Sequence, residues 1–527
     1  MAAAVEQPKS QPVGRRAMLV LICVSAPSFM LQLDANIVAV SLPSISESLG
    51  ATFAGIEWVI TGYTLSFASL LLPAGALADR FGRKRVLVTG LGLFTLASFF
   101  CGAAPSLGVL IAARAVQGVG AALQLSAALA TLASTFKGDI RARAFAFWGS
   151  VVGIGITLGP IVGGLITQTF GWQWAFYINL PIGAVSIATI VAVIDESRDP
   201  GAVRFDLPGV LTFSAFLFLT TLGLICGNHD GWTTPHIMIE GSGAVIFFLL
   251  FIVVEKLQAR PMVDFSFFLR PTYLGANVAQ FAFAAGLLTM LTFTPIYFQH
   301  ALGLSPRAAG LLMLPMALPL FIVPRIVTAQ LSHRLTGRTL LTAGLTVVSA
   351  GLALMAFAAG ALDYRLMLAA MLATGLGAGL LNGETTKVGM TVIPAERAGM
   401  ASGISGTMRF TGIVIGFAAL GVVLFSRISA AITTALPALD ESNRLGFIRQ
   451  IASGDLSGAG MAFPHSAELH TLALKSFADG YAALFATSAG FCLVAAVITW
   501  LLVRDCDTAP ISKRAPLKPS PQRALDR

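Results

Sequence analysis

Of the 527 residues, 56% are hydrophobic and 11% are charged, against about 25% charged in a typical soluble chain. The apolar residues fall in blocks of about 20, enough for a helix to cross a hydrocarbon core of about 30 Å, so the chain reads as an all-α integral membrane protein. A net charge of +9 would suit nucleic acid, but Lys and Arg gather in short loops of one parity, which reports membrane topology and excludes a nucleic-acid partner.

Fourteen spans are predicted, near 17–42, 56–78, 86–104, 107–131, 145–167, 173–194, 207–227, 237–255, 272–298, 308–330, 338–358, 363–388, 400–424 and 479–503. The first is too long for a signal-peptide core and is read as retained. An even number puts both termini on one side. The basic ends, Arg15-Arg16 and the segment from Arg504, mark that side as cytoplasmic in a cell membrane. The expected division is a cytoplasmic segment 1–16, a six-span bundle 17–194, a linker 195–271 with two inserted spans, a second bundle 272–503 and a tail 504–527. One long external loop, about 427–477 with Gly454, Gly458 and Gly460, is expected as a cap or tether without chemistry. Five scattered cysteines suggest neither a metal site nor a disulfide framework.

In the first span, Leu33-Asp34-Ala35-Asn36-Ile37 carries an acid that is costly to ionise at this depth. Such a carboxyl suits proton exchange, or else it is a structural partner for a neighbouring helix. The turn Gly75-Ala76-Leu77-Ala78-Asp79-Arg80-Phe81-Gly82-Arg83-Lys84-Arg85 packs four cations beside one acid between two apolar runs. So tight a connection makes the second and third spans antiparallel neighbours on the cytoplasmic side. Arg114, one turn before Gln117, must face the bundle interior, because an unpaired guanidinium in hydrocarbon is untenable.

The fifth span carries Gly149, Gly153, Gly155, Gly159, Pro160, Gly163 and Gly164. Glycines four apart admit another backbone closely, and the proline kinks the helix. Gly171-Trp172-Gln173-Trp174 is an interfacial anchor ahead of the sixth span. In the tenth span Arg325 is either an interior charge or a snorkelling one. Glu384 and Lys387, spaced for an i,i+3 ion pair, are read as paired with each other before any role in binding.

An internal repeat is visible: Arg114-Ala115-Val116-Gln117-Gly118-Val119-Gly120-Ala121 aligns with Met371-Leu372-Ala373-Thr374-Gly375-Leu376-Gly377-Ala378. The basic turn recurs in worn form as Ser332-His333-Arg334-Leu335-Thr336-Gly337-Arg338. Parallel six-helix repeats are an architecture of membrane carriers. No acid in the second half matches Asp34, so proton handling would be asymmetric. No phosphate-binding loop, nucleophile motif or metal motif is present, and no enzymatic activity is expected.

The basic turn, the fifth-span glycines and the first-span stretch Leu33-Asp34 to Leu42-Pro43 together resemble the fourteen-helix drug/proton antiporters of the major facilitator superfamily. Asn36, Ala39 and Ser41 depart from the pattern usual in that branch. The resemblance implies two six-helix bundles plus two inserted helices, and export of lipophilic or cationic drugs, or a related small organic compound, by alternating access. The alternatives are an uptake symporter or an exporter of one specific metabolite. Asp34 and Arg114 would couple transport to protons, and Gly75, Asp79, Arg80, Gly82, Arg83 and Lys84 would form a conformational latch. In that latch Asp79 would pair with arginine and face a helix beginning near Gly399. Asn36, Gln117 and Gln124 are candidates for contact with substrate. The expected partners are a small-molecule substrate, protons and the lipid bilayer. The proton gradient drives the cycle with no cofactor or metal, and the chain works as a monomer, alone or with accessory export proteins.

Overall fold

The computed structural model describes residues 15–136, 138–198, 206–230, 232–258, 261, 263–393, 398–437, 440–454, 456 and 466–508. The expectations for segment 1–14, for Gly458 and Gly460, and for the tail beyond 508 lie outside the described residues. Among the described residues thirteen helices are long and apolar enough to span a membrane, and a bent pair raises the number to fourteen. That pair is the second span, where Gly55–Leu71 meets Pro73–Phe81 at 55°; Pro73 lacks the N–H that would continue the ladder there. No strand occurs among the described residues.

Several spans run beyond their predicted ends. The first covers Arg15–Leu49, and the fifth Gly138–Phe170. The expected external loop 427–477 is corrected most. The thirteenth span runs over Ala398–Ala435 and the fourteenth over Ser466–Leu502, so helix occupies much of that stretch. Polar residues such as Arg427 and Lys475 end the apolar run but do not break a helix, which at about 1.5 Å per residue simply continues past the lipid. Between the two spans lies another helix, Glu441–Ser453, capped by Asp440 and ended by Gly454 at φ +89°. It buries Phe447, Ile448 and Ile451. Gly454 lies against the His300 imidazole, where a Cβ would come within 2.6 Å.

The chain divides into two compact units: Met1–Cys226 with Trp232–Met262 and Leu304–Leu311, and Gly227–Gly231 with Val263–Gly303 and Leu312–Arg527. The two inserted spans, Leu207–Asp230 and Pro235–Leu257, thus group largely with the first unit rather than forming a separate linker. Phe218 of the seventh span meets Trp58 of the second at 6.3 Å between ring centroids.

Each unit repeats one packing device. In the first, Gly118 of the fourth span lies on the Tyr63 carbonyl of the second, and a Cβ on Gly120 would meet the Phe94 nitrogen of the third at 2.6 Å. In the second unit, a Cβ on Gly375 of the twelfth span would meet the Met316 carbonyl of the tenth at 2.5 Å, and one on Gly377 would meet the Val348 nitrogen of the eleventh at 2.6 Å. The aligned glycines therefore do the same work: they let one helix sit between two backbones.

The turns at the ends of the units match as well. Glu196, just past the sixth span, accepts from the Lys84 and Arg85 amides at 3.1 and 3.2 Å and so caps the third span, Arg83–Gly102. A carboxylate is favoured at a helix N-terminus. Asp505, just past the fourteenth span, accepts from Thr336 Oγ1 at 2.6 Å and Arg338 Nη1 at 3.0 Å at the start of the eleventh. All five cysteines are free; Cys23, Cys101 and Cys492 are buried, Cys226 is half-buried, and Cys506 is exposed.

Candidate functional site

The first unit encloses a polar cluster centred on Asp34. Its carboxylate is fully buried and receives three side-chain donors: Arg114 Nη1 on Oδ2 at 2.8 Å, with Asn179 Nδ2 at 2.7 Å and Gln117 Nε2 at 3.2 Å on Oδ1. Arg114 is equally enclosed. Its Nη1 also reaches Gln117 Oε1 at 2.7 Å, its Nε donates to the Val59 carbonyl at 3.2 Å, and the guanidinium lies 4.2 Å from the Tyr63 ring centroid. The Asn179 amide continues to Ser98 Oγ at 3.0 Å, and Ser98 donates to the Phe176 carbonyl at 2.9 Å.

The sequence builds this cluster with few parts. Arg114 and Gln117 stand three apart on the fourth span and share one face. Asn179 opens the helix Asn179–Val193, directly after the short turn Trp174–Tyr177. The first, fourth and sixth spans thus meet at one carboxylate, and the second holds Arg114. A buried ion pair with its remaining lone pairs satisfied is tolerable, whereas removing one partner leaves an uncompensated charge at a cost of about 3–5 kcal/mol. Sequence reading found Asp34, Arg114 and Gln117 but missed Asn179 and Ser98. An amide inside the apolar run Ile178-Asn179-Leu180 was the available signal.

The other substrate candidates sit differently. Asn36 faces the fifth span, bonds its Nδ2 back to the Gln32 carbonyl at 2.7 Å, and lies against Gly159. Gln124, two turns beyond Gln117 on the same face, is fully buried, with neither amide atom partnered among the described residues. Glu57 of the second span, not singled out from sequence, is buried with Oε1 unpartnered.

The fifth span packs its glycines on the first. A Cβ on Gly155 would lie 2.9 Å from the Phe29 carbonyl, and one on Gly163 would lie 2.8 Å from Ile37 Cα. Gly153 is buried, whereas Gly149 is exposed with open space around it. Gly164 abuts the Pro306 carbonyl and Gly310 abuts the Pro160 carbonyl, so the fifth span also receives Leu304–Leu311 within the same unit.

In the basic turn Arg83 grips Asp79 through Nε at 3.0 Å and Nη2 at 2.7 Å, both on Oδ1. Gly82 adopts φ +111°, a conformation that favours glycine, and a Cβ there would strike the Glu196 carboxylate at 2.5 Å. Lys84 Nζ donates to the Val191 carbonyl at 2.7 Å. Arg80 is exposed and lies 5.2 Å from the Phe81 ring, and Gly75 has open space around it.

Among the described residues the second unit has no counterpart of the Asp34 cluster. Met371 and Thr374 occupy the positions of Arg114 and Gln117, and Thr374 bonds to its own helix at the Ala370 carbonyl. Glu384 and Lys387 pair with each other at 2.9 Å. Arg325 is exposed and stacks on Phe321 at 3.9 Å. A second intramembrane arginine, Arg409 of the thirteenth span, lies 5.7 Å from the Phe283 ring; it was not singled out from sequence. Among the described residues no group of three or more metal-ligating side chains occurs.

Residues 25–417 match the Major Facilitator Superfamily. The chain is 36% identical over 424 residues to the multidrug resistance protein Stp of Mycobacterium tuberculosis, covering 80% of this chain and 78% of that protein. It is 37% identical over 400 residues to a methylenomycin A resistance protein of Streptomyces coelicolor, covering 75% and 83%. It is 28% identical over 512 residues to the multidrug transporter protein MdtP of Bacillus subtilis, covering 93% of each. Among solved structures, an inward-facing, unoccupied bacterial homologue of the human lysosomal transporter Spinster aligns with TM-score 0.63 at 16% identity, over 96% of this chain and 100% of that one. A peptide transporter POT in complex with sulfate aligns with TM-score 0.58 at 16% identity, over 92% and 94%.

Proposed function

The chain belongs to the major facilitator superfamily, and from that premise we propose that it exports lipophilic drugs or related small organic compounds from the cytoplasm in exchange for protons. It is a multi-pass membrane transporter. The relatives named for multidrug and methylenomycin A resistance support export as the direction. The observation that carries the proton-coupled reading is the buried Asp34 carboxylate, held by Arg114, Gln117 and Asn179 from the fourth and sixth spans.

In this reading a proton arriving at Asp34 discharges the ion pair. Arg114 then keeps its hold on the second span through the Val59 carbonyl and the Tyr63 ring, while its tie to the first span weakens. The first span carries the fifth with it, because Gly155, Gly159 and Gly163 bind the two closely. Proton loss restores the pair and resets the unit. Gln124 offers a buried donor and acceptor for the substrate. Asp79, Arg83 and the cap from Glu196 stiffen the turn at Gly82 so that the second and third spans move together. Both termini lie in the cytoplasm, the proton gradient drives the cycle without a cofactor, and one chain suffices.

Asp34→Asn keeps a polar side chain of similar shape but cannot carry the charge. Purified and reconstituted in proteoliposomes, this variant is expected to lose accumulation driven by an imposed pH gradient while retaining its fold. Accumulation equal to that of the unaltered chain would refute proton coupling through this residue.

A further inference from the structure

Two arginines lie within the apolar spans at depth, and their surroundings differ. Arg114 is fully buried and spends its donors on Asp34, Gln117 and the Val59 carbonyl. Arg409 lies about 16 Å along the thirteenth span from Ala398, taking about 1.5 Å per residue. Its side chain is half-buried and makes no hydrogen bond or ion pair among the described residues; its one ring neighbour is Phe283, at 5.7 Å.

Two carboxylates of the second unit are engaged elsewhere. Glu384 is held by Lys387 and Ser332, and Asp505 is held by Arg338 and Thr336. On the same helix as Arg409, Thr407 and Thr411 are buried with unpartnered hydroxyls. The flanking turns are closed by packing: a Cβ on Gly412 would meet the Phe281 carbonyl at 2.9 Å, and one on Gly416 would meet Ala285 Cα at 2.5 Å. The helix is therefore closely packed on either side, and the guanidinium on it has five N–H donors with no acceptor among the described residues.

A cation at this depth is costly toward lipid and is sustained only toward protein interior or a water-filled passage. Arg114 has its counter-charge built in, and Arg409 does not. A transported anion would supply one. A guanidinium recognises a planar carboxylate by two parallel hydrogen bonds and repels an organic cation. The neighbouring Phe283 ring suits an aromatic or alicyclic body.

We propose that Arg409 determines specificity and that the transported compound is an amphipathic organic anion, a carboxylate or phenolate on an apolar body, rather than a lipophilic cation. The inference rests on the export reading for the direction of movement but not for binding. Fluorescein, an anion, and rhodamine 6G, a cation, are xanthene dyes of similar size and serve as probes. Anisotropy would be measured with the purified full-length chain in nanodiscs, and dye uptake with energised inverted vesicles.

The unaltered chain should bind fluorescein more tightly than rhodamine 6G. Arg409→Gln should weaken fluorescein binding at least about tenfold and leave rhodamine 6G binding equal or tighter, while Arg409→Lys should weaken fluorescein only about threefold. A preference of the unaltered chain for rhodamine 6G, binding of neither dye, or equal fluorescein affinity in the Gln variant would each overturn the inference. The comparison between dyes on the unaltered chain needs no variant to fold. Arg409-dependent fluorescein binding without uptake would uphold the inference and refute export. Uptake of rhodamine 6G that ignores Arg409 would do the reverse.

Discussion

Asp34 has no slack in its surroundings. Three side-chain donors converge on two oxygens, and the one that sequence reading missed, Asn179, makes the shortest of those bonds at 2.7 Å. Replacing Asn179 with Ala strips one donor from a buried carboxylate and leaves Ser98 Oγ with only its bond to the Phe176 carbonyl. Leaving a buried polar group short of a bond costs about 1–3 kcal/mol, more where the group is charged. The purified Asn179→Ala protein is thus expected to unfold at a lower temperature and to transport more slowly. A melting point and rate matching those of the unaltered chain would show the bond to be idle. Asp34 and Arg114 were legible because isolated charges stand out in apolar runs. Asn179 was not, because an amide beside Trp-rich residues reads equally well as an interfacial anchor. Arg409 escaped for a related reason: a lone arginine in the first third of a long span looks like the basic end of a cytoplasmic loop.

At the scale of the helix, the fifth span shows that a string of glycines is not one feature. Gly155 and Gly163 take the first span against its backbone, Gly159 takes it against Asn36, Gly164 takes the start of the tenth, and Gly149 meets nothing. The four-residue rhythm indicated a packing face, but the sequence could not indicate which glycines it uses, since that depends on the partner's path. Gly163→Val would drive two methyl groups into Ile37 and should cost several kcal/mol by overpacking, whereas Gly149→Ala should be silent. Folded yield and monodispersity after extraction would separate the two. Equal behaviour of both variants would contradict the close seam between the first and fifth spans. The extended thirteenth and fourteenth spans teach the complementary lesson. Hydropathy locates where lipid ends, and the helix itself continues past that point, to Ala435 in the thirteenth span and back to Ser466 in the fourteenth.

Across the whole molecule the duplication was readable and its consequence only partly so. The aligned glycines 118 and 120, 375 and 377 seat their helices alike in each unit. The worn second turn lost the acid that corresponds to Asp79, and Arg338 takes its carboxylate from Asp505 instead, far away in sequence. Such replacements leave no local trace in the chain. The grouping of the inserted spans with the first unit was likewise hidden, because it depends on ring contacts such as Trp58 with Phe218 rather than on repeat spacing. Next to the Asp505 clasp stands Cys506, the one exposed thiol among five. The natural chain therefore carries its own reporter of sidedness. A membrane-impermeant maleimide should modify it in inverted vesicles and spare it in intact cells. Modification in intact cells would turn the molecule over in the bilayer, and inward pumping would then replace outward.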